Sequence, residues 1–172
     1  MIKLAALVAP ALVALAVVAS ATPAAAQKVK PVCRDNSRAC LQRTALIYLD
    51  GLSRHDSKAI PFAPNVRATE QASIVVTNEA KFRSEIDSST AITGARNLRL
   101  MVDPATRSVG AFYVLDIAGE KGKPAYSVWR GQRFKIVRGY VTEVEVYNYI
   151  ESEPKGIGAQ LWPGGTTLPA GK

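Results

Sequence analysis

The chain has 172 residues, is 48% hydrophobic and 21% charged, and carries a formal net charge of +8 with one histidine and two cysteines. That length supplies one ordinary domain with a real core, and two domains would each be too small. The basic residues are scattered without a run of five like charges, so the excess reads mainly as a solvated surface and no nucleic-acid partner is expected.

Residues 1–26 read as a signal peptide. Met1-Ile2-Lys3 gives a positive start, Leu4 to Ser20 is apolar, and Ala24-Ala25-Ala26 supplies the small-x-small cleavage pattern. Pro10 and Pro23 interrupt the run, which is short for a span of about 20 residues, so no stable membrane anchor is expected. Cleavage leaves 146 residues beginning at Gln27 and, with Lys3 gone, a net charge of +7. The mature protein is expected to be periplasmic or secreted. Such a basic exported chain would also suit anionic polymers or an envelope surface.

Cys33 and Cys40 then lie in an oxidising compartment and are expected to form a disulfide. Both in one regular helix would stand about 10 Å apart, too far to bridge. The helix should therefore begin near Arg38, with Cys33 in the lead-in and Asp35, Asn36 or Ser37 as cap. A short bridge of this kind stabilises at the lower end of about 2–4 kcal/mol. Two thiols and one distant histidine are too few ligands for zinc, so no metal is expected.

The helix runs to His55. Leu41, Ala45, Tyr48 and Leu52 are spaced four, three and four apart on one face, and His55 falls on that same face. Pro61 and Pro64 then force an extended return toward Arg67, which lets a histidine, a tyrosine and an arginine converge. Asp50 lies on the opposite side beside Arg43 and Arg54 and reads as solvated. A second short helix is expected between Thr77 and Ser88, with Thr77 or Asn78 as cap.

From Ala95 the period becomes two. Strands are expected through Val102, over Val109–Ile117, over Ala125–Val137 and over Tyr140–Ile150, with turns at Asp103-Pro104-Ala105-Thr106, around Gly119–Pro124 and at Gly139. Helices first and long antiparallel strands afterwards make an α+β domain over residues 27–150. The tail, residues 151–172, is rich in proline and glycine and should lack regular structure, with Trp162 either resting on the body or serving a flap.

Leu52-Ser53-Arg54-His55-Asp56 at a helix end, then Ile60-Pro61-Phe62-Ala63-Pro64-Asn65-Val66-Arg67-Ala68-Thr69-Glu70, then strands closing with Gly139-Tyr140-Val141-Thr142-Glu143-Val144-Glu145, together resemble the SnoaL-like branch of the nuclear transport factor 2-like superfamily. The resemblance covers Leu41 to Ile150. It implies a cystatin-like cone roll, in which a curved antiparallel sheet of four to six strands wraps around the N-terminal helices and encloses a deep apolar pocket. Relatives include cofactor-free isomerases, dehydratases, cyclases and lyases, among them enzymes that release formaldehyde from lignin-derived diaryl propanes. Other members only bind ligands, and a homodimer or homotrimer is compatible with the family.

A base facing a hydrogen-bond donor in an apolar pocket needs no cofactor, and none is expected. The candidate catalytic residues are His55 as base, Arg67 to hold developing negative charge, and Tyr48 as donor. Candidate substrate-binding residues are Tyr113, Tyr126, Trp129 and Glu143. Tyr113 shares a face with Ala111 and Leu115, and Tyr126 with Val128 and Arg130, while Trp129 takes the other face. Alternation leaves open which face lines the cavity, and whether Glu143 and Glu145 point inward or form a surface ladder with Arg130 and Arg133. The expected function is an exported, cofactor-independent lyase or isomerase on a small hydrophobic or aromatic molecule. The alternative is a non-catalytic carrier of such a ligand.

Overall fold

Ser37 starts the first helix by accepting a hydrogen bond at Oγ from the Cys40 amide (3.1 Å), and Asp35 holds Ser37 in turn. In the computed structural model, which describes residues 29–119, 125–151 and 166–168, this helix is α1, Arg38–Arg54. Cys33 lies in the lead-in and Cys40 in the first turn, with Cα atoms 5.7 Å apart, and they form the expected disulfide. Thiol titration of the denatured mature protein should find no free cysteine, and two reactive thiols would overturn the bridge. The signal segment, Trp162 and the loop 120–124 lie outside the described residues.

α1 ends at His55, whose backbone is left-handed (φ 55°) and whose N–H turns back to the Gly51 and Leu52 carbonyls. The chain continues through β1 (Phe62–Glu70), β2 (Ser73–Val76), α2 (Glu79–Asp87), β3 (Ile92–Asp103), β4 (Ser108–Ile117), β5 (Tyr126–Val137), β6 (Tyr140–Glu151) and β7 (Thr166–Leu168). Asn78 caps α2 through Oδ1 and the Lys81 amide. Arg83 of α2 donates to the carbonyls of Ser57 and Ile60, and Asp87 accepts from the Ser57 amide (2.8 Å), so α2 clamps the loop that follows α1.

One sheet of seven strands results, in the order β2-β1-β6-β5-β4-β3-β7. It corrects two expectations. The return after α1 is a strand, and β1 runs parallel to β6 while every other pairing is antiparallel. Pro64 sits inside a register break between Phe62 and Arg67, where its missing N–H removes no ladder bond. The tail is not wholly irregular either, because Thr166–Leu168 pairs with the outer edge of β3.

The sheet curls around α1, which touches β3, β4, β5 and β6, with register breaks in β3 that assist the bend. Inside, Leu41, Ala45, Tyr48, Leu49 and Leu52 of α1 pack against Val66, Val109, Tyr113, Leu115, Phe134 and Val144. Phe62 and Phe82 stack at 4.6 Å, and the Tyr48 ring meets both edge-on and Phe134 at 4.9 Å. Each such pair adds about 0.5–1.5 kcal/mol beyond its burial.

Glu143 and Glu145 both take the outer face, in a ladder of Arg67–Glu143 (2.6 Å), Glu143–Arg133 (3.2 Å) and Arg133–Glu145 (2.6 Å). Arg67 and then Arg133 hold the Glu143 carboxyl below the usual carboxylate range, and Arg133 does the same to Glu145. Depressed folded-state pKa values contribute stability above the unfolded pKa that is lost as pH falls through them. The denaturation midpoint should therefore drop on acidification below about pH 4.5 by more in the native chain than in a Glu143→Gln/Glu145→Gln variant. Solvent screening keeps the difference near 1 kcal/mol or less, and equal declines would reject the ladder's contribution. Asp50 is solvated and pairs with Arg54 at 2.8 Å, as its helix position implied.

Candidate functional site

A cavity of about 560 Å³ opens between the ends of α1 and α2 and the edges of β1, β2, β5 and β6. Its walls are mostly apolar, with Leu52, Ala68, Val76, Phe82, Ile86, Ile92 and Val146 contributing. Four inward-facing polar side chains lie among them or just behind. Counting along the strands explains why: Val66, Ala68 and Glu70 share one face of β1, as do Val128, Arg130, Gln132 and Phe134 on β5, and Val144, Val146 and Asn148 on β6.

The register then joins these strands, placing Asn148 opposite Arg130 and Val146 beside both Glu70 and Gln132. Arg130 Nε donates to Asn148 Oδ1 at 2.8 Å, and Asn148 Nδ2 donates to Glu70 Oε1. Glu70 and Arg130 both line the cavity. The asparagine thus holds the carboxylate and the guanidinium apart at fixed places, where direct pairing would neutralise both. On the other side of Arg130, buried Tyr113 donates its hydroxyl to Gln132 Oε1. Burial raises the Tyr113 phenol above its ordinary pKa, with the Arg130 charge and hydrogen bond opposing. Burial, then neighbouring Tyr113, raises the Tyr48 phenol well above its ordinary value, so both stay protonated donors at neutral pH. Gln132 Nε2 is buried without a hydrogen-bond partner.

The sequence-derived candidates are distributed unevenly around this centre. Tyr48 lines the cavity. His55 stands behind its wall, with Nδ1 3.4 Å from the Oγ of Ser89, and Ser89 lines the cavity. Arg67 does not join them, because β1 turns alternate residues to opposite faces and its guanidinium lies outside on Glu143. Glu143 is outside for the same reason, and Trp129 occupies the outer row opposite Tyr149. Tyr113 is inside, whereas Tyr126 is exposed at the first position of β5. Sequence reasoning missed Glu70, Gln132 and Asn148, and it named Arg130 only as sharing a face with Tyr126 and Val128 or as one partner in an open choice of surface ladder. The available signal was polar residues at inward positions of otherwise apolar strand faces.

The Glu70 carboxylate, the Arg130 guanidinium and the Tyr48 phenol border the cavity, with Lys81 and Glu85 of α2 also in its lining, and such a set can remove a proton and steady the negative charge left behind. Among the described residues no group of three or more His, Cys, Asp or Glu could hold a metal ion, and no helix is long and apolar enough to cross a membrane.

Residues 34–147 match the family model described as Domain of unknown function (DUF8021). A search of curated proteins finds no match. Among solved structures, the epoxide hydrolase/cyclase-like enzyme SalBIII, described by a role in pyran ring formation in the polyether salinomycin, aligns with a TM-score of 0.58 at 16% identity, over 66% of this chain and 94% of that one. AusH from Aspergillus nidulans aligns at 0.55 and 11% identity, over 76% and 99%. A protein of unknown function with a cystatin-like fold from Methylobium petroleophilum PM1 aligns at 0.54 and 14%, over 71% and 82%. At these identities the likeness establishes the fold alone, the cystatin-like α+β cone expected from the sequence.

Proposed function

The chain belongs to the DUF8021 family, and from that premise we propose that it is a cofactor-independent lyase or isomerase acting on a small, largely apolar molecule. The observation that carries this is the Arg130–Asn148–Glu70 chain opening on an apolar cavity. Glu70 takes a proton from substrate carbon or hydroxyl. Arg130 and the Tyr48 hydroxyl face the charge that develops, and the apolar walls strengthen both interactions by excluding water. A void of about 560 Å³ suits a ligand of two aromatic rings. His55 reaches the wall from behind through Ser89.

Within that class we place formaldehyde release from a diaryl propane diol first, because removing the proton of the primary hydroxyl lets the adjacent carbon–carbon bond break to formaldehyde while its electron pair forms the alkene and expels the benzylic hydroxyl, which leaves as water, so no oxidant is needed. Isomerisation of a related ketone stands second. The test incubates the mature protein with each compound and follows formaldehyde or the rearranged ketone alongside thermal stability. Turnover supports the enzyme. Stabilisation without turnover, about 2.7 kcal/mol at a hundredfold excess over Kd, supports a carrier instead, and neither effect with any aryl ligand would reject both. Export is part of the proposal and is supported by the disulfide, since such bonds persist outside the cytosol. The protein recovered from an exporting host should have an intact mass beginning at Gln27.

A further inference from the structure

Two buried side chains behind the cavity wall have no part in the chemistry proposed above. Tyr113 and Gln132 are 1% and 3% exposed. The register sets Tyr113 opposite Arg130, and Gln132 stands two residues along from Arg130 on the same inward face of β5. Arg130 serves both neighbourhoods, since its Nε donates to Asn148 while its guanidinium also donates toward the Tyr113 hydroxyl. The Tyr113 hydroxyl donates in turn to Gln132 Oε1. Gln132 Nε2, buried and without a partner, is left open.

Donor counting fixes the direction of this chain. An arginine has only donors, so the Tyr113 oxygen accepts from Arg130, and its single proton goes to the amide oxygen of Gln132. That turns the amide NH2 to the other side, where it has only protons to offer. The group in its reach there is the Tyr48 hydroxyl: burial raises the pKa of this phenol, and Gln132 opposes the rise by donating toward its oxygen. A Tyr48 oxygen that faces the Gln132 NH2 keeps its own proton for the void that Tyr48 lines.

We propose that Tyr113 and Gln132 are positioning residues that hold the Tyr48 proton toward the cavity, and that the ligand meets this proton with an acceptor oxygen, that of a carbonyl or a phenolate. Arg130, Gln132 and Tyr48 all present protons at this spot, so a hydrocarbon leaves them unsatisfied and an ammonium group would oppose them. The Arg130 charge polarises each bond along the chain in turn, which makes the Tyr48 hydroxyl a stronger donor than an isolated phenol. The Gln132–Tyr48 bond, open in this structure, closes when a ligand oxygen orders the hydroxyl.

This placement of the proton rests on the cavity reading above, yet binding alone tests it, without turnover. Benzophenone and diphenylmethane fill the same two-ring space and differ only in carrying C=O or CH2 between the rings. Titration calorimetry of the mature protein gives the ratio of their dissociation constants. Gln132→Glu puts an acceptor of the same size where the NH2 was, which turns the Tyr48 proton away from the ligand. The ratio should shift about 10-fold against the ketone, while diphenylmethane affinity changes by less than about 2-fold. The carbonyl stretch of bound benzophenone should lie below its value in hexane in the parent and return toward that value in the variant. Should Gln132→Glu fail to fold, Tyr113→Phe frees the amide to rotate and should shift the ratio about 3-fold in the same direction. An unchanged ratio and stretch in the folded variants would overturn the role of Gln132 and Tyr113 and leave the cavity reading standing. A parent that binds neither compound would overturn both.

Discussion

Glu70→Gln is expected to lower turnover about 10²- to 10⁴-fold while leaving ligand affinity nearly unchanged. Glutamine keeps the length of the side chain and an oxygen that can accept from Asn148 Nδ2, so the cavity wall should retain its shape. What it lacks is basicity, which matters only as the proton moves. The loss should therefore fall in kcat more than in KM. Arg130→Lys should also reduce kcat, because an ammonium cannot hold Asn148 and face the cavity at once as the planar fork does. His55→Gln should cost less than either, since Ser89 stands between the ring and the void. Arg67→Ala and Glu143→Gln serve as outer-face controls with parental rates. Full turnover by a folded Glu70→Gln protein would eliminate this carboxylate and move the search for the base to Glu85 and His55.

Gly139→Ala is expected to destabilise the fold by about 3 kcal/mol, lowering the melting temperature by roughly 6–12 °C. Arg138 and Gly139 join β5 to β6 with φ of 51° and 76°, the mirror-image turn that suits a hairpin. Alanine in the left-handed region costs about 1–2 kcal/mol by itself. Here the added carbon would also meet the Cys33 carbonyl oxygen at 1.9 Å and Pro31 Cβ at 2.8 Å. The disulfide pins that lead-in to α1, so the carbonyl cannot retreat freely. Arg138→Gly, one residue earlier and of the same φ sign, should be nearly neutral, because relief of strain offsets the added chain entropy. Opening the bridge with Cys40→Ser should shrink the cost of Gly139→Ala, giving a less than additive pair. Equal melting temperatures for Gly139→Ala and the parent would show that the lead-in does not rest on the turn.

Much of the fold was written locally in the chain. Ser37 and Asn78 cap their helices where short polar residues precede apolar spacing, and β3 to β6 follow alternation between turn residues. The β1–β2 turn was not legible, because Gln71 and Ala72 adopt φ of 48° and 65° without glycine, asparagine or aspartate to announce it. What holds it is non-local: the Gln71 amide and side chain bond the Val146 and Asn148 carbonyls. The site was legible in part for a related reason. Tyr48 follows from helical spacing, whereas Arg67 and Glu70 depend on strand parity, and one residue decides whether a side chain meets the cavity or solvent. Parity could not be assigned before the direction of curvature was known, since this cone carries apolar residues on both faces.

The parallel pairing of β1 with β6 also sets the order in which the chain can become a protein. Ala68 meets Val76 on one side but finds its neighbour toward the middle of the sheet only at Val144, so everything from α1 through α2 lacks the central sheet until the last long strand has been made. Loop closure over that separation is slow compared with helix or hairpin formation. A ribosome delivering the molecule N-terminus first therefore handles a chain without its central sheet for most of synthesis, and the β1–β6 pairing closes in a late step. Any truncation before Tyr140 should leave the remainder unable to hold its shape.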